Sequence, residues 1–487
     1  MESLSRRQSV SLATDYPIRI LQFGGGNFLR AFVDWMVEVL NKETDFNGGI
    51  AIIKPTAGGD YSELKAQDGL FTVVLDGIKS GKQVAEKTLV TAVQKVINSY
   101  TEWGAYLNLA ENPDVRFIVS NTTEAGIRFR SEDKFDDAPP SEFPAKLTVW
   151  LYHRFQHFGG NASKGCILLP CELIENNGTA LQKCVLQYAK HWQLGGDFMD
   201  WITSANFFCG TLVDRIVSGY PREKADEIQK ALGYRDELLV AGEQYHSWVI
   251  QAPEAVEKEL PFSQAGLNVE FVNDLVPYRE MKVRLLNGAH TAMVPVGYLA
   301  GIRLVSEAMQ NERVSGFVAS LLREEAAPTL DLPEEAKHKF VADVLERFRN
   351  PILKHQLISI SLNSTSKFVA RLLPTLKDYL AMKEKLPERI VFGLSALIRF
   401  YKGEVNGESI PLKDDPKVLG IMASEWKKYE GKEQSLKEFV ASILRNPTVW
   451  KEDLTKIEGL VEKVTENLQD IENNGIRIAL GDRQSII

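Results

Sequence analysis

The sequence predicts an α/β domain built on a mainly parallel sheet, followed by a mostly α-helical domain. Three observations carry this. Short runs of continuous apolar residues alternate with amphipathic stretches through the first half, the pattern of strands covered on both faces. From about Tyr278 onward strand signals become sparse and long helical periodicities dominate. The pattern changes near residues 275–280, so one domain is expected over 1–277 and a second over 278–487.

The elements follow in order. Residues 18–23 read as the first strand. Residues 27–40 read as a helix, because Phe28, Ala31, Phe32, Trp35 and Val39 recur at helical spacing. Further strands are expected at 50–53, 71–75, 115–119 and 166–169, where β-branched and aromatic residues gather. Helices are expected around 88–97 and 145–158. In the second half, 281–300, 306–325, 334–348, 386–401, 417–429, 435–444 and 451–467 read as amphipathic helices. The Gly- and Pro-interrupted stretch 403–416 reads as a loop.

Composition narrows the function classes. A net charge of −8 disfavours nucleic acid and anionic membrane as partners, since both recruit Lys/Arg excess. Cys166, Cys171, Cys184 and Cys209 form no Cys-x-x-Cys pair, so no structural metal is expected and reduced thiols are. The first residues lack an apolar core of the signal-peptide kind, and the uncharged run 285–302 is too polar to span a bilayer. A cytoplasmic protein is the expectation.

The first strand runs into Gly24-Gly25-Gly26-Asn27-Phe28-Leu29. This fits the start of a dinucleotide fingerprint, in which the first glycine permits a tight turn and the next lets backbone approach a pyrophosphate at a helix N-terminus. Leu29 stands where a third glycine is usual. A plain tight turn has the same spelling; the position after the first strand of an alternating domain favours the dinucleotide. Phe23 to Leu29 are therefore candidate cofactor residues. The acid expected on the adenosine ribose does not follow the second strand directly, which ends at Lys54-Pro55; Asp60 is the first acid afterwards. NAD is expected over NADP, with Lys54 leaving room for a 2′-phosphate. Asn121, Thr122 and Glu124, at the end of a later strand, are candidates for the ribose or nicotinamide.

The chemistry points to Lys282, Asn287 and His290. On a helix, Asn287 and His290 share a face, and Lys282 lies within about 80° of His290. Reducing a ketone needs a hydride and a proton. A lysine can deliver the proton if burial and a neighbouring cation such as Arg284 ease its release, Asn287 can donate to the developing oxyanion, and His290 can bind a substrate hydroxyl. A solvated lysine with self-satisfied Asn and His would read the same on spacing alone. Tyr278 and Lys282 also make a Tyr-x3-Lys pair, which would move the proton to Tyr278; His153 and His157 are an i, i+4 pair of the kind that can hold a metal, though an exposed helix face reads the same; and Asp214–Arg215 is either a site pair or an internal salt bridge.

The run Lys282-x4-Asn287-x2-His290 resembles the K-x4-N-x2-H signature of the polyol-specific long-chain dehydrogenases, the mannitol dehydrogenase family. LQFGGGNFLRAFVDW (21–35), AQDGLFTVV (66–74), SNTTEAGI (120–127), PCELIENNG (170–178), LVDRIVSGYP (212–221) and RFRNPILKHQ (347–356) are similar to its other blocks, in the same order and over nearly the whole chain. The resemblance implies a Rossmann-type N-terminal domain, a helical C-terminal domain with the site between them, NAD, and no metal. It assigns Lys282 as general acid/base, Asn287 as oxyanion partner and His290 as substrate ligand.

Two departures argue against mannitol. Gly210 stands where polyol-acting relatives often carry Asn, and the block ending in Gln251 lacks an acid. What the resemblance implies instead, most closely in LQFGGGNFLRAFVDW, SNTTEAGI and LNGAHT, is NAD-dependent reduction of a keto-hexuronate in hexuronate catabolism, first D-tagaturonate to D-altronate, with fructuronate to mannonate and then mannitol–fructose interconversion as alternatives. A nucleotide sensor without turnover is the reading from another class. A carboxylate-bearing substrate needs cations, and Arg284, Lys354, Lys367 and Arg371 are candidates, with His355 beside them.

Overall fold

The computed structural model describes residues 1–6, 14–79, 82–123, 125–352, 354–432 and 434–481. The chain divides into two compact units, Met1–Asp76 with Gln83–Leu275, and Gly77–Lys82 with Val276–Ile487.

In the first unit the strands are β1 (Ile18–Phe23), β2 (Gly49–Lys54), β3 (Phe71–Lys79), β4 (Lys82–Val90), β5 (Val93–Asn98), β6 (Phe117–Ser120), β7 (Ile167–Pro170), β8 (Phe207–Phe208), β9 (Gly210–Asp214), β10 (Val217–Gly219), β11 (Val240–Glu243), β12 (Ser247–Gln251) and β13 (Val269–Val272). The main sheet runs β5-β2-β1-β6-β7-β8, and every pairing in it is parallel. Counted by first appearance within that sheet this is order 3-2-1-4-5-6, the doubly wound arrangement that opens a ligand crevice at the carboxyl ends of its two central strands. Those strands are β1 and β6, with Phe23 opposite Ser120.

The sequence explains the layers. Ile20, Ile50, Ile52, Phe117 and Val119 face one core with Leu29, Phe32 and Met36 of the first helix. Leu21, Phe23, Ala51, Ile53 and Ile118 face the other, with Leu147, Trp150 and Val185. Alternate residues of each strand bury on opposite faces, which is why the strands are apolar throughout. Each fully buried Leu, Ile or Phe adds about 1.5–3 kcal/mol relative to exposure.

The helix expected around 88–97 is not there: β4 and β5 occupy that stretch. Thr88, Val90, Thr91, Val93, Val96 and Ile97 are stiff β-branched residues suited to strands. Val90 and Val93 imitate helical spacing only because the chain turns between two sheets, β10-β11-β3-β4 and the main one. The Glu38 carboxylate holds that turn, accepting from the Thr91 and Ala92 amides at 2.7 and 3.0 Å.

In the second unit the first long helix has three segments, Val276–Met281, a π-helical turn Lys282–Asn287, and Gly288–Leu299. Every residue of the last segment is buried, against Phe317, Leu372 and Ile390 among others. The helix expected over 306–325 resolves into Val305–Gln310, Glu312–Ser320 and a π-helical Leu321–Ala326. Asn311 starts the second of these, its side chain accepting from the Val314 amide. No described helix is long and apolar enough to cross a membrane.

Candidate active site

In the first unit the glycine turn begins where β1 ends. Gly24 adopts φ +114°, and a Cβ there would stand 3.0 Å from the Asn121 carbonyl oxygen and 3.3 Å from Leu29 Cδ1. Leu29 therefore packs under the turn, filling the slot of the third glycine. Gly26 is different: nothing lies within 4 Å of its Cβ position. It caps a helix that starts at Asn27, so backbone amides with no intrahelical acceptor and a partial positive charge face an open crevice. This donor set fits a pyrophosphate.

The other candidates divide by what they offer. The Phe23 ring lies in the core, 4.7 Å from Phe143, while its carbonyl takes the Asn121 amide at 3.2 Å. Asn27 is exposed and held by Arg30 Nη2 at 2.7 Å. Phe28 stacks on Phe32 at 4.9 Å. Asp60 is exposed, and the Ser62 amide and hydroxyl, both at 2.8 Å, hold its carboxyl below the usual range. Asn121 donates to the Cys171 carbonyl at 2.7 Å. Glu124 lies outside the described residues.

Two groups that sequence reasoning missed organise this crevice. Glu172, 3% exposed, accepts from Ser120 Oγ, the Thr122 amide and Thr122 Oγ1 at 3.0, 3.0 and 3.1 Å. Burial pushes its carboxyl up against the pull of those donors. Tyr61 Oη accepts the Gly25 amide at 2.8 Å. The only signals were positions just after β7 and just after Asp60.

In the second unit the π-helical turn carries Lys282 and Asn287, both half-buried. The Asn287 carbonyl accepts from Thr291 Oγ1 at 2.8 Å and from Arg371 Nη1 at 3.4 Å. Its side-chain amide makes no hydrogen bond among the described residues. His290 is buried, and its Nε2 has no hydrogen-bond partner among the described residues. Its ring lies 4.2 Å from Phe348 and 5.3 Å from His355. Burial, with His355, Arg347, Arg371 and Lys367 around it, drives its pKa well below the ordinary value, so the imidazole is neutral at pH 7.

Lys367 donates to the Ile360 carbonyl at 2.8 Å and Arg371 to Thr291 Oγ1 at 3.2 Å. Burial lowers the pKa of both, and Arg371 lowers Lys367 further against the opposing Asp414. Arg347, 8% exposed, joins this set, a residue not singled out from the sequence. Lys354 is exposed. Arg284 is instead ion-paired with Asp378 and stands 3.9 Å from Glu280, which spends its charge. The cluster around His290 suits an anion beside hydroxyl groups.

Other sequence candidates resolve plainly. His153 and His157 both turn to Glu111, at 3.0 and 4.0 Å, and no group of three metal-ligating side chains occurs among the described residues. Arg215 donates to the Ala31, Gln244 and Tyr245 carbonyls and stacks 4.2 Å over Trp35. Gly210 and Gln251, the two departures from polyol-acting relatives, are cross-strand partners.

Comparison with known proteins places the chain. The model of the mannitol dehydrogenase Rossmann domain matches residues 18–264, and that of the mannitol dehydrogenase C-terminal domain matches residues 274–472. Altronate oxidoreductase of Yersinia enterocolitica is 47% identical over 481 residues, covering 99% of each chain. Altronate oxidoreductase of Klebsiella pneumoniae is 46% identical with the same coverage. Among solved structures, D-sorbitol dehydrogenase in substrate-free form has a TM-score of 0.78 at 24% identity, over 99% of this chain and 100% of that one. Mannitol 2-dehydrogenase of Pseudomonas fluorescens, in ternary complex with NAD and D-mannitol, has a TM-score of 0.63 at 20% identity, over 99% of each. With both family models matched in tandem and full-length relatives at nearly half identity, this chain belongs to the mannitol dehydrogenase family.

Proposed function

We propose that the protein is an NAD-dependent oxidoreductase acting on a CH–OH group, and that it reduces D-tagaturonate to D-altronate. The full-length relatives are named altronate oxidoreductase. The observation that carries the sugar-acid reading is Arg371, whose Nη1 stands 3.4 Å from the Asn287 carbonyl and 3.2 Å from Thr291 Oγ1, one residue from buried His290, with the Lys367 charge also bearing on that imidazole. A mannitol-like polyol has no use for such a charge; a hexuronate carboxylate does.

The glycine turn Gly24–Gly26 and the helix N-terminus after it would hold NADH, which would supply the hydride for the ketone carbon. Lys282 gives its ammonium proton to the oxygen as negative charge develops there, leaving a neutral amine that solvent reprotonates. The Asn287 amide donates to the same oxygen. His290, being neutral, can both donate to and accept from sugar hydroxyls. Lys367 and Arg371, with His355, fix the carboxylate, and Glu172 keeps the Ser120–Thr122 turn in shape. The four cysteines are buried and unpaired, a state suited to the reducing cytoplasm, where we place the reaction.

Absorbance at 340 nm tests this with NADH and NADPH against tagaturonate, fructuronate and fructose. The proposal expects fastest oxidation of NADH with tagaturonate. A preference for fructuronate would reassign the substrate, and no turnover with any of the three would favour a nucleotide sensor.

A further inference from the structure

We propose that the Tyr61 hydroxyl is a direct ligand of the dinucleotide, donating its proton to the adenosine-side phosphate. Tyr61 lies in the loop after β2, next to Asp60, whose carboxylate pins Ser62 through two 2.8 Å hydrogen bonds. Its oxygen accepts the Gly25 amide at 2.8 Å, which fixes the phenol against the backbone of the glycine turn. A phenol both accepts and donates. The accepting side is used, and among the described residues nothing takes the Tyr61 proton.

The surroundings aim that proton at a ligand. A Cβ on Gly25 would lie 2.9 Å from Leu64 Cδ1 and 3.2 Å from Ile52 Cγ2, whereas Gly26 next to it is open. The protein thus closes on one side of the turn, where Tyr61 Cε2 also stands 3.4 Å from that Cβ position, and leaves the next residue free, with the phenol oxygen tied to the turn through the Gly25 amide. In a doubly wound sheet the adenosine half lies toward the second strand and the pyrophosphate over the glycine turn, so the junction between them is where the adenosine-side phosphate sits. Arg30, the cation on the helix that follows the turn, does not compete for that phosphate, because it is spent on Asn27 and the Leu238 carbonyl. Half-burial raises the phenol pKa, which keeps it a donor across the working pH range.

This inference rests on the dinucleotide occupying the glycine turn, and the test separates the two. Calorimetric titration of NADH, ADP and adenosine into the parent and Tyr61→Phe proteins measures each contribution. The expected result is a rise of about 10- to 100-fold in Kd for NADH and ADP, with adenosine unchanged, since only a phosphate contact is lost. Adenosine also reports that the pocket still folds. ADP and NADH affinities within twofold of the parent would overturn the Tyr61 assignment alone, as would an equal weakening of adenosine, which would place the hydroxyl on the ribose or in the fold. Failure of the parent itself to bind NADH and ADP would overturn both.

Discussion

Lys282 and Asn287 open and close one π-helical turn, with the Gly288 amide bonded back to the Val283 carbonyl. In an α-helix, residues five apart stand about 140° from one another. In the i→i+5 register they come nearly one above the other. The turn therefore puts the ammonium and the amide on one face of a helix whose next twelve residues are all buried. Because the Asn287 amide makes no hydrogen bond among the described residues, its removal leaves no partner orphaned. Asn287→Ala is expected to lower kcat about 10²- to 10³-fold with Tm unchanged. Steady-state kinetics and a thermal melt check both halves, and a large loss of Tm would show the amide to be structural.

The cations around His290 should act on substrate charge. Arg371→Met is expected to raise KM for tagaturonate about 10- to 100-fold, the worth of a hydrogen bond to a charged group, while leaving weak turnover of uncharged fructose alone. Lys367→Met should behave alike, its Nζ also holding the Ile360 carbonyl. Equal losses on both substrates would mean that the pair shapes the pocket and does not read the carboxylate.

The glycines of the turn should separate folding from binding. Gly24→Ala forces a side chain into φ +114° and within 3.0 Å of a backbone oxygen, so Tm should fall by the equivalent of about 1–3 kcal/mol. Gly26 has φ −71° and open space beside it. Gly26→Ala should keep Tm and, if the proposed pyrophosphate site is right, weaken NADH, because the methyl enters the open space beside the turn. Fluorescence titration of NADH beside a thermal melt tests the contrast.

Asp34 predicts an unusual pH profile of stability. It is fully buried, and neither carboxyl oxygen has a hydrogen-bond partner among the described residues. Burial pushes its pKa up to about 7, against the pull of the nearby Gln22 amide and Arg30. An unfolded aspartate titrates near ~3.9, so between these values the folded state holds more protons than the unfolded one. Stability from this group is full below pH ~4 and is lost as pH rises through 7. Asp34→Asn cannot ionise, so its stability relative to the parent should improve across that window, by up to about 4 kcal/mol at pH 8. Urea melts at pH 5 and pH 8 measure it; an advantage that is the same at both would contradict the assignment.

Much of this was legible in the sequence, for physical reasons. The strands from β1 to β7 of the main sheet are apolar on both faces, a signal that survives without context, and the exception is β5, half polar because it is the edge strand. The glycine turn and the Lys282, Asn287, His290 spacing were also readable. The π-helical turn was not, since one extra residue per turn barely disturbs an apolar pattern. Tyr61, Glu172 and Arg347 escaped notice because their partners, Gly25, Thr122 and His290, lie 36, 50 and 57 positions away. Arg284 read as an available cation because its acid, Asp378, is 94 residues distant.

The most direct test of the account is Lys282→Ala, followed by stopped-flow turnover of tagaturonate and by NADH titration. Turnover is expected to fall by about 10²- to 10⁴-fold, the worth of a general acid, with the NADH Kd within twofold of the parent. Near-parental turnover would place the proton donor elsewhere and contradict the mechanism.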